Sequence, residues 1–588
     1  QITEFAYDEL DRLVRISDAD GRLTEYRRDL AGRLVQVLDT VTGEVRYEYD
    51  LLNRLTREIT DRGVIDYQYD ATGRLVQRTV NGSEVTDYEY DAVGRIVRID
   101  YSGQNGNTQT LTYTYNATGQ LETKTGPNGI IQSHDYDAVG HLTSIIYTSP
   151  EGEELERIDY AFDPSGQIVQ KTRSGGIAVP ETPFVATYGD DNQMLTFDGH
   201  PLTYDDNGNL IERETDTGRL VYEYNSDNRL IRYERYEGQE TQSAVSATYA
   251  YDKDGRRIKK AITDEAGTAE THFTWDGTRL IAERDENGNL LKSYRYGLGF
   301  APTQVIDANG IYDVHVDHLD TPQTLTDQNG NVVWKADYTA YGSAAVDEDP
   351  DGDGTNITFN IRFPGQYFDA ESGLHYNFHR YYDSMMGRYI TRDPIGLVGG
   401  LNVYGYVGGN PVTKIDPNGK FGFNVHFAIG YTAALQAGYG FSDAVVIGYY
   451  TAAADIGTQG VPDSHRHSMT PGGSSRDAAR AATDNFINEQ IGTGTLEGLG
   501  NALHAAQDYY AHGHGFQDYA GNVTPSHILN DTYPNKTDFD SAYDESLGMI
   551  RDFRGGSGSG GDRGNGSNGG NGGNSGNGSS SGSSENCQ

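Results

Sequence analysis

The chain has 588 residues, of which 36% are apolar, with 74 Gly, 43 Tyr and a formal charge of −40 from 46 basic and 86 acidic side chains. That length exceeds one ordinary hydrophobic core, and the acidity excludes a general affinity for phosphate backbones while leaving room for a local, metal-assisted site. No apolar run reaches the about 18 residues of a transmembrane helix, and the single Cys587 excludes a disulfide framework within the chain.

From the first residues one phrase recurs. YDELDRL at Tyr7, RDLAGRL at Arg28, YDLLNRL at Tyr49, YDATGRL at Tyr69 and YDAVGRI at Tyr90 are variants of it. YNATGQL at Tyr115, YDAVGHL at Tyr136, FDPSGQI at Phe162, YDDNGNL at Tyr204, YNSDNRL at Tyr224 and YDKDGRR at Tyr251 follow at intervals of about 20 to 25 residues. Each places an Asp-x-x-Gly turn between segments that alternate apolar and polar, which predicts antiparallel strands joined by tight turns. One hairpin cannot bury its own face, so neighbouring copies must stack into a continuous core, with Tyr filling it while its hydroxyl finds a polar partner. Read alone, this array is structural and carries no chemistry.

The phrase is the YD repeat, and the array resembles the RHS proteins of bacteria and the related teneurins. The repeats fill residues 1–317. The resemblance sharpens over residues 318–420, in HLDTPQTLTDQNGNVVWKADYTAYG (His318 to Gly342) and in the segment from FPGQYFDAESGLHYNFHRYYD to VTKIDPNG (Phe363 to Gly419), which is similar to the RHS-repeat-associated core. It implies a mainly β fold: a strip of strands wound in a spiral into a hollow shell, closed at one end by the core and enclosing a variable C-terminal effector. Between the two segments, Asp349, Asp351 and Asp353 alternate in an acidic loop that Gly354 helps to turn. They can offer oxygens to calcium, but the bidentate Glu of a calcium loop is replaced by Asn360, and a solvated insertion is the plainer reading.

In this family the core acts as an aspartyl autoprotease that releases the effector. The matching positions are Arg380 in HRYYD, Asp393 in RDPIGL and Asp416 in IDPNG. Asp393 and Asp416 would form a carboxylate pair that shares a proton and activates water, with Arg380 orienting it. The family's second motif commonly reads DPxGL, whereas DPNGK here puts Lys420 where the cut would fall. The plain alternative is that both Asp residues only make Asx turns before Pro.

At Phe421 the composition changes, and helical spacing appears in VHFAIGYTAALQAG, DAARAATDNFINEQ and LEGLGNALHAAQDYYAH. A small all-α domain is expected over residues 421–554, followed by a flexible Gly-, Ser- and Asn-rich tail over residues 555–588. His504, Asp508 and His512 are four apart and share a helix face; His514 follows, and His527 with Asp531 repeats the step. Upstream stand His426, Asp455, His465 and His467. Imidazole nitrogens with carboxylate oxygens suit zinc, and a bridging carboxylate can hold two ions.

The order of these ligands resembles zinc-dependent phospholipases C and the single-strand-specific zinc nucleases. The resemblance assigns two or three zinc ions to His426, Asp455, His467 or His465, His504, Asp508, His514, His527 and Asp531. Asp508 would bridge, and Asp455 would be a ligand or the base that steers the attacking water. The family's chelating N-terminal Trp has no counterpart in the segment. The expectation is a polymorphic toxin, secreted or displayed at the cell surface and delivered into a target cell, with a self-released zinc phosphodiesterase acting on phospholipid or nucleic acid. Its partners would be a delivery apparatus and a cognate immunity protein. The rival reading is a cell-surface adhesion or carbohydrate-binding protein whose C-terminal domain is not catalytic.

Overall fold

The structure is a computed structural model that describes residues 3–103, 107–164, 166–180 and 183–420. The expected helical domain, its tail and every proposed zinc ligand from His426 to Asp531 lie outside the described residues.

Among the described residues thirty-six strands form three antiparallel sheets, and the two large ones follow chain order without a crossover. The first contains 16 strands from β1 (Glu4–Tyr7) to β16 (Ile168–Arg173), and the second 16 from β17 (Ala186–Tyr188) to β32 (Ala344–Asp347). A four-stranded sheet follows, of β33 (Tyr367–Asp369), β34 (Leu374–Asn377), β35 (Arg380–Asp383) and β36 (Arg388–Tyr389). The second large sheet thus runs past residue 317 to Asp347. Among the described residues the helical elements are two 3-10 turns, Gly396–Gly399 and Val407–Gly409.

The repeat phrase accounts for the meander letter by letter, as the copy at Tyr69 shows. Asp70 Oδ1 accepts hydrogen bonds from the amides of Thr72 and Arg74 at 2.9 Å each, which closes the turn. Asp70 Oδ2 accepts the Arg74 Nε–H at 2.7 Å, so the carboxylate serves backbone and guanidinium together. Gly73 takes φ 85°, a left-handed backbone open to glycine at little cost. Where the phrase lacks Gly, Asp11 (φ 56°), Asn53 (φ 63°) and Asn228 (φ 58°) occupy that position, since Asp and Asn tolerate it better than most side-chain-bearing residues. Tyr69 sits at a β-bulge opposite Leu75, and its hydroxyl donates to the carbonyl of Leu55 in the preceding copy at 2.8 Å. Arg54 of that copy lies over the Tyr69 ring at 4.7 Å. The same step links Arg33 and Leu34 to Tyr49, Arg74 and Leu75 to Tyr90, and Arg95 and Ile96 to Tyr115. Each of these links combines a hydrogen bond of about 1 kcal/mol with a cation–π contact of about 0.5–1 kcal/mol, so these copies are fastened each to the one before it.

The buried face of the second sheet holds the largest apolar cluster, including Tyr233, Phe273, Leu325 and Trp334, and it takes in Ile65 and Val80 from the first. The sheets also meet through polar pairs. Tyr67 donates to Asp276 at 2.7 Å, Arg78 pairs with Asp276 at 2.6 Å, and Arg173 pairs with Asp337 at 2.9 Å. The small sheet sits on the second through Arg257 and Lys260, which both bind Asp369, and through the hydroxyls of Tyr251 and Tyr381, 2.9 Å apart.

Candidate functional site

The small sheet puts four side chains on one face. Asn377 of β34 is directly opposite Arg380 of β35, and Tyr382, two residues on, is opposite Tyr389 of β36. Side chains alternate across a strand, so Asn377, Arg380, Tyr382 and Tyr389 project together. The chain then passes over this face twice, through the RDPIGL and IDPNG loops.

Those loops deliver both carboxylates to Arg380. Its Nη2 lies 2.9 Å from Asp393 Oδ2 and 3.3 Å from Asp416 Oδ2. The other guanidinium nitrogens donate to the carbonyls of Gly419 and of Val403, and the guanidinium covers the Tyr389 ring at 3.5 Å. Arg380, Asp393 and Asp416 are all buried. Each Asp spends its second oxygen on a turn. Asp393 Oδ1 accepts the Ile395 amide at 3.0 Å, and Asp416 Oδ1 accepts the amides of Gly419 and Lys420 at 2.9 and 3.2 Å. The Asx turns expected as the plain alternative are therefore present together with the convergence on Arg380.

The two carboxylates differ in what surrounds them. Burial pushes Asp393 up to about 7 despite the Arg380 charge beside it. Asp416 Oδ2 additionally accepts the Tyr389 hydroxyl at 2.6 Å, and that hydroxyl in turn accepts an amide proton of Asn377 at 2.8 Å. The same Asn377 amide donates to the Asp416 carbonyl at 2.7 Å. Tyr389 and Asn377 carry no motif signal by residue type; the register of β34 to β36 is what brings them into the site.

The last described turn is held closely. A Cβ at Gly365 would stand 1.9 Å from the Pro417 carbonyl oxygen, and one at Gly419 would stand 2.2 Å from that of Asn377. Lys420 lies in the same surroundings, its ammonium pushed below its ordinary value by burial and by Arg229. The arrangement sets Asp416 against the Lys420 amide and joins it, through one guanidinium, to a carboxyl that burial pushes up to about 7. The acidic loop lies elsewhere, beyond β32. The carboxylate oxygens of Asp349, Asp351 and Asp353 are within 4.8 Å of one another, and Asp351 and Asp353 are exposed. Among the described residues no helix is long and apolar enough to cross a membrane.

The teneurin YD-shell family model matches residues 1–133 and 130–412. Double-stranded DNA deaminase toxin A of Burkholderia cenocepacia (strain H111) is 32% identical over 309 residues, covering 45% of this chain and 21% of that protein. Toxin protein Tse5 of Pseudomonas aeruginosa is 33% identical over 261 residues, covering 39% of this chain and 19% of that protein. The chain thus spans about a fifth of the length of these curated relatives. Among solved structures, the TcdB2-TccC3-Cdc42 crystal structure matches with a TM-score of 0.53 at 17% identity, over 71% of this chain and 27% of that one, which is a likeness of fold.

Proposed function

The chain belongs to the teneurin YD-shell family, and from that premise we propose that it is a toxin whose β shell carries a C-terminal effector and cuts the connection to it. Two relatives that share the shell sequence bear the name toxin, which supports this over adhesion. The observation that carries the reading is the convergence of Asp393 and Asp416 on Arg380 beside Lys420.

The cut would hydrolyse the Lys420–Phe421 peptide. Asp393, with its pKa near the working pH, is suited to take a proton from water as the water oxygen bonds to the Lys420 carbonyl carbon. When the C–N bond breaks, the same carboxyl returns the proton to the departing Phe421 nitrogen. Arg380 and the donors around Asp416 hold the chain and keep the second charge fixed. Cleavage should therefore rise with pH through about 7, as Asp393 becomes the carboxylate. On a denaturing gel the full chain should give two bands and Asp393→Asn one, with sequencing placing the new N-terminus at Phe421. The same pattern from parent and variant would remove the autoprotease from the account.

For the released segment, residues 421–554, the ligand order from His426 to Asp531 supports a zinc phosphodiesterase acting on phospholipid or nucleic acid. His426, Asp455, His465 or His467, His504, Asp508, His514, His527 and Asp531 would hold two or three ions, and zinc so held lowers the pKa of bound water towards neutrality. Elemental analysis of the full chain should find zinc that is lost on joint His504→Ala and Asp508→Ala substitution. Parallel assays on phosphatidylcholine vesicles and single-stranded DNA then decide the substrate. Absence of bound metal under every condition would leave a non-catalytic domain. A delivery apparatus and an immunity protein are the partners this reading requires.

A further inference from the structure

The autoprotease reading uses three side chains, yet a fourth on the small-sheet face, Tyr389, touches two of them. Its ring is 1% exposed and carries the Arg380 guanidinium at 3.5 Å. Its hydroxyl lies between two partners, Asn377 Nδ2 at 2.8 Å and Asp416 Oδ2 at 2.6 Å. An amide nitrogen can only donate, so the hydroxyl proton has one remaining direction, towards Asp416. Asn377 is itself fully buried and is oriented by its second bond, to the Asp416 carbonyl.

We infer that Tyr389 and Asn377 are positioning residues of the cleavage site: Asn377 fixes the polarity of the Tyr389 hydroxyl, and the hydroxyl holds Asp416 Oδ2 in place, so that Arg380 stays shared and Asp393 remains the carboxyl that moves the proton. The inference rests on the autoprotease reading above. Without the hydroxyl, Asp416 Oδ2 loses its shortest donor, and the shared guanidinium is drawn towards it. Asp393 then loses part of the attraction that opposes its burial and needs a higher pH to ionise.

The groups facing this cluster are few and named. Tyr389 meets Arg380 and Asp416, with the rings of Tyr382 and Tyr406 at 5.5 and 6.0 Å. Asp393 meets Arg380, Asp416 and Lys420. Arg229 acts on Lys420, and His379 is held well below its ordinary value by burial and by the neighbouring cations Lys420, Arg229 and Arg380. Burial and the Asp416 charge hold the Tyr389 hydroxyl well above its ordinary value, and it remains a donor throughout.

The test is the pH profile of cleavage in the full chain, recovered unfolded in urea and diluted into native buffers from pH 5 to 9. The parent rate should rise with a midpoint near 7. Tyr389→Phe keeps the ring under Arg380 and should move that midpoint up by about one pH unit, the effect of one hydrogen bond to a charged group, with the parent rate regained at high pH. Asn377→Ala should move it in the same direction, and it decides alone if Tyr389→Phe does not refold. Superposable profiles, or a slowing equal at every pH, overturn the inference and leave Tyr389 a packing residue. A parent that cuts while the variants show no shift overturns this inference alone, whereas a parent that never cuts removes the autoprotease and the positioning role together.

Discussion

At the scale of the residue, the repeat turn and the candidate site use an Asp in the same way. Asp70 gives Oδ1 to the turn amides and Oδ2 to the Arg four residues on. Asp393 and Asp416 give Oδ1 to their turns as well, but the residues four further on are Leu397 and Lys420, and both turn instead to Arg380 on a strand. One change of partner thus separates a structural turn from a buried carboxylate pair. The structural version has its own pH signature. Hydrogen bonds from Arg12 hold Asp8 down at about 2; Asp50, Asp70 and Asp91 are also lowered, because their turn and Arg bonds outweigh partial burial. A carboxylate depressed on folding contributes stability that is complete above its unfolded value of about 4 and disappears as pH falls towards its folded value. The described sheets should therefore loosen between about pH 4 and 2. Replacing Asp50, Asp70 and Asp91 jointly by Asn should lower the urea midpoint at pH 7 and shrink the difference between pH 7 and pH 3. A variant that keeps the full acid sensitivity would show that other carboxylates set it.

At the scale of the element, the small sheet must be held still for the two loops to meet on it, and a buried charge cluster does this. Arg257 is 1% exposed and Asp369 0%. Lys260 joins the same carboxylate at 2.9 Å and reaches Glu371 at 3.2 Å. Five aromatic rings, including Tyr249 and Tyr376, surround the guanidinium. Breaking such a pair from one side leaves uncompensated charge, so Asp369→Asn should cost about 3–5 kcal/mol and lower the thermal midpoint, whereas a midpoint within about a degree of the parent would show that the cluster relaxes. The strands and their turns were legible in the sequence, because each YD phrase contains the atoms that close its own turn and fasten it to the previous copy. Arg380, Asp393 and Asp416 were legible as motif positions. Tyr389 and Asn377 were not, because their role depends on which residue of one strand stands opposite which residue of the next, and the wording GRYI or HYNF does not fix that register. The attachment of Asp369 to Arg257 escaped for a related reason, since nothing local marks a partner 112 residues away.

At the scale of the whole molecule, a strip in which every strand pairs with its neighbour behaves as a one-dimensional array, and its copies could open one at a time. The contacts between the two large sheets oppose this. Asp276, at the end of β25 (Gly267–Asp276), accepts Tyr67 of β7 (Gly63–Tyr69) and pairs with Arg78 of β8 (Leu75–Val80), binding segments 209 residues apart. Both side chains of the ion pair are nearly buried, at 12% and 10% exposure. Asp276→Ala would leave the Arg78 guanidinium and the Tyr67 hydroxyl without their acceptor in a site that little water reaches, a loss on the order of 3–5 kcal/mol. If the sheets act as one body, amide hydrogen exchange should quicken together in β7, β8 and β25, despite their distance along the chain, while β34 to β36 keep their protection. If exchange quickens only along β25, each sheet stands by its own neighbour pairing and the contacts between them are incidental. The first outcome would mean that the two large sheets open as one body while the small sheet, held by its own contacts, stays closed when they loosen.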